Sequence, residues 1–323
     1  MSKLRSRQAR LLQELGFATG LWLGAAGSAV SQTPAPNDKP DDNAGASRSI
    51  ALGTRGGPVG ENRGGATILD RSTGLEYSAR AGAATDYIYR GVTLSDRKFA
   101  IGAGFEVAFE KIYAGITVAS VKLPSQPSSE VSFAAGWRPK IGNIDFDLAW
   151  TYYGYPRETV LGPTGGTDYW EASARADIKI TEALRIAGGF AYAPNVSNTG
   201  AWGRYMAAGL GLDLPTRLLP KDIAASISGG IGYSRFGNMD ELLGGFPLPA
   251  YTNWNAGITF TYKMLNFDVR YYDTNLSREN CYIYTSDTNA VAGGTADPLR
   301  NPDGLMSRWC GAAFVGKLFF ALN

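Results

Sequence analysis

Alternation of polar and apolar residues dominates the sequence after residue 74 and restricts it to β-structure. The clearest stretch is Tyr169–Ile180. Its odd positions are mainly polar (Tyr169, Glu171, Ser173, Arg175, Asp177, Lys179) and its even positions are apolar (Trp170, Ala172, Ala174, Ala176, Ile178, Ile180). A period of two residues predicts a strand with two different faces. The stretch is longer than the usual strand of about five or six residues, and it matches the roughly 9–11 residues that a tilted strand needs to cross a bilayer.

The same alternation divides the rest of the chain into about twelve predicted strands. They are 75–91, 99–109, 112–122, 130–138, 143–154, 168–180, 183–193, 204–214, 222–235, 251–262, 265–276 and 307–322. Short connections such as Glu110-Lys111 alternate with long ones such as Pro156–Thr167. This arrangement is typical of bacterial outer-membrane barrels. We therefore predict an all-β fold, a closed antiparallel transmembrane β-barrel of about 12 strands over residues 74–323, with short periplasmic turns and longer extracellular loops.

A soluble β-sandwich would also alternate, so the period alone leaves that alternative open. Aromatic residues near the strand ends favour a membrane barrel, because aromatic girdles mark both interfaces of such a barrel. The predicted lipid-facing aromatics are Tyr87, Tyr89, Trp137, Trp150, Tyr152, Trp170, Tyr192, Tyr233, Trp254 and Tyr262. Closure into a barrel follows from the membrane, since an open sheet edge in hydrocarbon leaves backbone groups unpaired at several kcal/mol each.

The N-terminal segment differs from the rest of the chain. Basic residues from Lys3 to Arg10 precede a mostly apolar stretch, Leu15–Val30, that ends in small residues. This order predicts a secretory signal peptide over 1–31, and an uncleaved membrane anchor is the alternative. Residues 32–73 are rich in Pro, Gly, Asn, Asp and Ser, and we expect a disordered N-terminal extension there.

The chain has two cysteines, Cys281 and Cys310. In the oxidising compartment that export implies, two cysteines near each other predict one disulfide bond. Two independent thiols are the alternative. A redox enzyme is disfavoured, because the spacing is much wider than in a two-cysteine redox motif.

Composition excludes several classes of function. The sequence has no His, which excludes Ser-His-Asp and Cys-His catalysis and the commonest catalytic zinc sites. With 31 Lys+Arg against 29 Asp+Glu, the net charge is +2, too balanced for nucleic acid to be the main partner. We expect a protein that is not an enzyme and needs no cofactor. Its expected partners are outer-membrane lipid and small polar solutes or ions.

If the apolar face meets lipid, the opposite face lines the barrel lumen. The candidate lumen-lining residues are Glu76, Arg80, Asp86, Arg90, Glu106, Arg138, Asp145, Asp147, Glu171, Arg175, Asp177, Lys179, Arg185, Asp268 and Arg270. Charges of both signs suit a diffusion pore of weak selectivity. The same charges could instead pair across a narrow interior and plug it, because a twelve-stranded barrel falls between filled barrels of about eight strands and open ones of about 16–18. A pore for small polar solutes or ions and a plugged barrel with a structural or surface-interaction role therefore both remain open.

The stretch Thr85–Lys98, with Thr85-Asp86-Tyr87-Ile88-Tyr89-Arg90-Gly91 followed by Ser95-Asp96-Arg97-Lys98, resembles the opening motif of the TorF-like family of candidate porins, a set of conserved hypothetical bacterial outer-membrane proteins. The resemblance continues to Tyr271–Asn275, but Phe99-Ala100 stands where that family commonly has Pro-Ala. It implies an outer-membrane barrel and brings no known substrate.

Within this motif we expect Asp86 and Arg90 to pair four residues apart on the lumen face of the first strand. A structural role for that pair and a gating role remain equal alternatives. For the loop Ser277–Met306, folding inward to constrict the pore and projecting outward to present a surface also both remain open.

Overall fold

The computed structural model describes residues 68–70, 72–160, 163 and 165–322. These residues belong to one compact unit, and residues 1–42 lie outside them. The signal peptide expected over 1–31 and most of the extension expected over 32–73 also lie outside the described residues. Within the described residues, no helix combines the length and the apolar character that crossing a membrane requires.

The sheet is built from twelve long strands that follow one another around a ring. They are β1 Leu75–Ala84, β2 Ala100–Phe109, β3 Ile112–Ala119, β4 Glu130–Trp137, β5 Ile144–Gly154, β6 Tyr169–Lys179, β7 Leu184–Ala193, β8 Gly203–Asp213, β9 Ile223–Phe236, β10 Tyr251–Tyr262, β11 Leu265–Thr274 and β12 Ala313–Leu322. Each strand pairs antiparallel with its neighbours in sequence. Two short strands, Ile68–Asp70 and Lys140–Ile141, pair with β1 and β5.

The ring is closed by the pairing of the last long strand with the first. Lys317 on β12 lies opposite Ala84 on β1, and Ala84 lies opposite Ala100 on β2. Closure leaves none of the twelve strands with a free edge, so their backbone N–H and C=O groups can pair within the sheet. The predicted fold class, a closed antiparallel barrel of 12 strands, is confirmed.

The two faces of the barrel wall reverse the arrangement of a water-soluble protein. On β6, Trp170 is 39% exposed, whereas Glu171 is 6% exposed and Arg175 is 5% exposed. Other large apolar side chains exposed on the outside include Phe105, Trp150, Phe190, Met206, Ile231 and Phe267. An apolar band all round the outside is the surface that a barrel presents to lipid, and it excludes the sandwich, in which such residues meet in a core.

The connections alternate in length, as predicted. At one end the strands are joined by turns such as 110–111 and 263–264. At the other end, which we call the long-loop end, lie L1 (85–99), L2 (120–129), L3 (155–168), L4 (194–202), L5 (237–250) and L6 (275–312). L6 contains a single α-helix, α1 Arg278–Thr285, capped by the Ser277 hydroxyl, which accepts from the Asn280 N–H.

Three predicted boundaries need correction. The first strand ends at Ala84, not at 91, and the last begins at Ala313, not at 307. At the other end of β1, Ile68–Asp70 forms a strand within the stretch that we expected to be disordered. The first error has the largest consequence, because it assigns to the barrel wall a segment that belongs to L1.

Candidate functional site

Charged side chains on the inner wall form networks near the short-turn end. The guanidinium of Arg138 donates two hydrogen bonds to Glu106, at 2.5 and 2.9 Å, and one to Asp147 at 3.1 Å. Its guanidinium carbon lies 3.6 Å from the centre of the Tyr113 ring, and the Tyr113 hydroxyl donates to Asp147 at 2.9 Å. The network spans β2 to β5, so it follows the curve of the wall.

A second network lies on the far side of the ring. Arg270 on β11 bonds to Asp268 on the same strand, with one nitrogen–oxygen distance of 3.0 Å. It also donates to the Ser228 hydroxyl at 2.8 Å and to the Asn255 side-chain oxygen at 2.8 Å. Gly257 faces Arg270 across the strand pair, and a Cβ there would lie 2.9 Å from the Arg270 Cβ. The glycine therefore gives the arginine room to lie along the wall.

The remaining predicted lumen residues on the strands have these positions. Arg175 pairs with Asp177 on β6 at 2.6 Å, and Arg185 on β7 pairs with Asp213 on β8 at 3.2 Å. Asp145 lies exposed near the short-turn end, where it pairs with Lys140. Glu76 and Arg80 lie half-buried on β1, with Arg80 against Gly104, and Lys179 pairs with Glu182 at the turn after β6. Asp86 and Arg90 are not on a strand of the barrel wall.

L1 folds into the mouth of the barrel as a small hairpin. Ile88–Tyr89 pairs with Val92–Thr93, and Arg90 and Gly91 form the two-residue turn with φ of 49° and 81°. Positive φ at both positions is typical of the tight hairpin turn that strongly favours glycine. Gly91 is also required for space, because a Cβ there would contact the Thr274 side chain on β11 and approach the Asn253 Cβ on β10 at 3.0 Å. The tip of the hairpin thus touches the inner wall of β10 and β11.

Arg90, at this tip, reaches another part of the wall. Its guanidinium is 2.8 Å from the carboxylate of Glu171 on β6, five strands along the sheet from β1. The side chains of this pair are only 11% and 7% exposed. The guanidinium also stacks on Tyr205 of β8 at 4.1 Å and on Tyr89 at 4.6 Å. L1 therefore crosses the mouth. The expectation that Arg90 pairs with Asp86 is wrong, because Arg90 pairs with Glu171 on the opposite part of the wall.

Asp86 organises the inside of L1. It accepts hydrogen bonds from the Thr93 hydroxyl at 2.5 Å and from the Ser95 hydroxyl at 2.9 Å. Burial raises the pKa of the Asp86 carboxyl, and these two bonds oppose the rise. This carboxylate ties the start of L1 to the strand after the hairpin, so the loop has internal structure of its own.

Tyr87 and Tyr89 point inward, and the prediction that they face lipid is wrong. They are 3% and 7% exposed and pack with Leu94, Ala100 and Ala119. The Tyr87 hydroxyl donates to the buried carboxylate of Glu130 on β4 at 2.8 Å. The physical reason is that alternation continues beyond Ala84 while the chain has already turned into the barrel.

L6 packs against L1 and is cross-linked by the disulfide bond between Cys281 and Cys310. Both cysteines are buried with Val92, Tyr251 and Trp309. The Thr93 N–H donates to the Trp309 carbonyl at 3.0 Å, so L1 and the end of L6 share a backbone hydrogen bond.

Asp96 connects three of the loops. Its carboxylate accepts from the Trp309 indole N–H at 3.0 Å and lies 2.9 Å from the Lys98 ammonium and 3.3 Å from the Lys122 ammonium in L2. Partial burial raises the pKa of Asp96, but the hydrogen bonds from Lys98, Trp309 and Lys122 outweigh it, so the pKa lies below its ordinary value. Arg97 adds hydrogen bonds to the carbonyls of Arg308 and Gly311.

A cavity of about 400 Å³ lies beside the Arg90–Glu171 pair at the long-loop end. Aromatic side chains supply much of its wall, among them Tyr89, Tyr155, Phe236, Tyr284 and Trp309. Its volume falls within the range of about 300–1,000 Å³ of small-molecule sites. Neither this cavity nor the inward course of L1 follows from the alternation pattern. The dipeptide Arg90-Gly91, between apolar pairs, is the sequence signal for the hairpin.

Among solved structures, the chain is similar to the NanC porin (8% identity, TM-score 0.42, 76% of this chain and 99% of that one). It is also similar to the KdgM porin (8% identity, TM-score 0.44, the same coverages). LpxR from Salmonella typhimurium is a third (9% identity, TM-score 0.37, 75% and 99%). Similarities at these values support no statement about function.

Comparison of the sequence with curated proteins and with protein families gives a clearer result. No curated protein matches it. The model of one protein family, described as bacterial protein of unknown function (Gcw_chp), matches residues 69–296. That range begins within the first described strand, Ile68–Asp70, contains β1 to β11 and α1, and ends within L6. The chain belongs to the Gcw_chp family.

Proposed function

We propose that this protein is an outer-membrane channel that passes small polar solutes or ions through a mouth narrowed by L1. The observation that carries the proposal is the hairpin of L1, which crosses the mouth of a barrel whose inner wall is charged. A loop folded inward restricts what enters without closing the wall itself. The partners are outer-membrane lipid outside and water-soluble solutes inside.

The wall and its loops support an outer-membrane location. The outside is apolar, the strands have the length for a bilayer, and outer-membrane barrels place their long loops outside the cell. The proposed signal peptide over 1–31 supplies Sec-type export, and the resemblance of Thr85–Lys98 to the TorF-like family supports the same location. We therefore take the long-loop end to be extracellular.

The wall favours weak selectivity. The ion pairs Arg175–Asp177 and Arg185–Asp213 join positions on one strand or on adjacent strands, and Arg138, just after β4, pairs with Glu106 on β2. Charges paired along the wall keep it polar and leave the middle of the lumen to solutes. Both signs occur, so we expect little preference between anions and cations.

Solute passage is tested by liposome swelling with the refolded protein and uncharged sugars of increasing size. We expect swelling with the smallest sugars and none with the largest, because the mouth beside Arg90 sets the limit. A variant with 88–93 replaced by a short glycine linker should admit larger sugars than the wild type. The proposal would be contradicted if liposomes containing wild type or the linker variant swelled no faster than protein-free liposomes with any of the sugars.

A plugged barrel with a structural or surface-interaction role is the second candidate. The buried contacts of L1 favour it: Tyr87 to Glu130, Asp86 to Thr93, and Arg90 to Glu171. A loop with this many contacts is a fixed part of the fold. This candidate predicts a silent wild type, and a variant without the hairpin that conducts.

A further inference from the structure

Two arginines lie directly opposite each other on the outer face of the barrel, at its long-loop end. Arg204 on β8 is the register partner of Arg235 on β9. Both side chains are exposed and share the outward face with Met206 and Tyr233, each two residues further into the wall. Directly opposite positions place the two Cβ atoms only about 5 Å apart.

This arrangement costs stability unless something compensates it, because like charges directly opposite on neighbouring strands repel. Within the part of the chain that the structure describes, neither guanidinium has a carboxylate partner. Arg204 lies over the Trp202 ring at 4.8 Å and the Tyr192 ring at 6.0 Å. Asp240, in neighbouring L5, instead directs its carboxylate to the Leu242 N–H at 2.8 Å.

The position of the two arginines relative to the membrane indicates which anion can pair with them. Tyr192 lies opposite Arg204 on β7, so the arginines sit in the aromatic layer at the membrane interface. At that level the available anions are lipid headgroups, and two adjacent guanidinium groups suit the oxygens of a phosphate.

We propose that Arg204 and Arg235 bind the phosphate of an outer-leaflet glycolipid, with Trp202 and Tyr192 contacting its sugar. This inference rests on the outer-membrane location in the proposed function and does not depend on solute passage. Fractionation of cell membranes tests that location separately.

The binding test uses the refolded full chain in neutral detergent, with diphosphorylated lipid A as the probe and native mass spectrometry to count bound lipid. We expect Arg204→Gln/Arg235→Gln to bind roughly tenfold or more weakly than wild type, because it loses charge-assisted bonds. Arg217→Gln, an exposed arginine near the short-turn end, is the matched control and should bind as wild type does. Retained difference in gel mobility between boiled and unboiled samples shows that each variant is folded.

Equal binding by the double variant and wild type would overturn the proposal, as would equal binding of lipid A stripped of phosphate. Inorganic phosphate is the competitor that separates the two sources of this chemistry. If millimolar phosphate fails to displace the lipid, the glycolipid is the ligand. Complete displacement would overturn the assignment to a lipid. Conductance of the double variant should equal that of wild type, so failure of channel activity and failure of lipid binding are distinguishable.

Discussion

At the scale of single residues, the mouth depends on a few buried charges, and Arg90 is the most informative of them. It has positive φ, stacks on two tyrosine rings and pairs with Glu171 on a strand far around the ring. Its position could not be predicted from alternation, because the partner is 81 residues away and comes close only once the barrel has closed.

Removal of Arg90 leaves Glu171 buried without its partner. We expect Arg90→Gln to lower the free energy of opening of L1 by roughly 3 kcal/mol, because removing one partner of a buried ion pair leaves an uncompensated buried charge. Hydrogen exchange of the peptide covering 85–98 measures this. The double variant Arg90→Gln/Glu171→Gln should recover part of this loss. Arg157→Gln, which removes an exposed arginine in L3, is the control. Unchanged exchange in Arg90→Gln would show that the pair does not hold L1.

Asp96 should make the contact between L1 and L6 sensitive to acid. Its pKa in the fold lies below the ordinary value of 3.8. The contribution of its ionised form to stability is therefore complete above pH 3.8 and disappears as the pH falls through the lower pKa of the folded state. We expect Asp96→Asn to lower the urea midpoint at neutral pH, and the difference from wild type to shrink below about pH 4. A difference that stays constant down to about pH 2 would contradict this assignment.

At the scale of elements, the strands could be predicted and the loops could not. Alternation is a property of the wall, and ten of the twelve strands begin and end within a few residues of their predicted limits. The exceptions are the end of β1 and the start of β12. The error at β1 has a physical cause: 85–89 keeps alternating, although Tyr87 and Tyr89 pack inside the barrel. Only Arg90-Gly91 indicates the turn, and the place of that turn in the molecule depends on the shape of the mouth.

The disulfide bond should stabilise L6 without being needed for the barrel. The bond closes a loop of 29 residues, which in the chain-entropy model contributes about 3–4 kcal/mol. We expect Cys281→Ser/Cys310→Ser to speed hydrogen exchange in 278–310 and to leave the heat-dependent gel mobility of the barrel intact. Reduced wild type should behave in the same way. Loss of heat-dependent mobility in the double variant would show that L6 supports the barrel itself.

At the scale of the whole molecule, the sequence predicts a barrel because outward and inward faces impose one pattern on every strand. Predicted inner residues such as Glu106, Asp147 and Arg270 form networks along the wall. Whether a molecule with this wall conducts depends on L1 and L6, whose packing joins residues distant in sequence. The open or plugged state therefore lies beyond what composition and periodicity can determine.

Single-channel conductance in a planar bilayer tests the central claim most directly, with wild type compared with the variant in which 88–93 is replaced by a glycine linker. We predict small, discrete steps of weak ion selectivity for wild type and larger steps for the variant. A silent wild type beside a conducting variant would identify L1 as a plug and contradict the channel. Silence in both, with insertion of the barrel verified, would contradict any role for L1 in controlling passage.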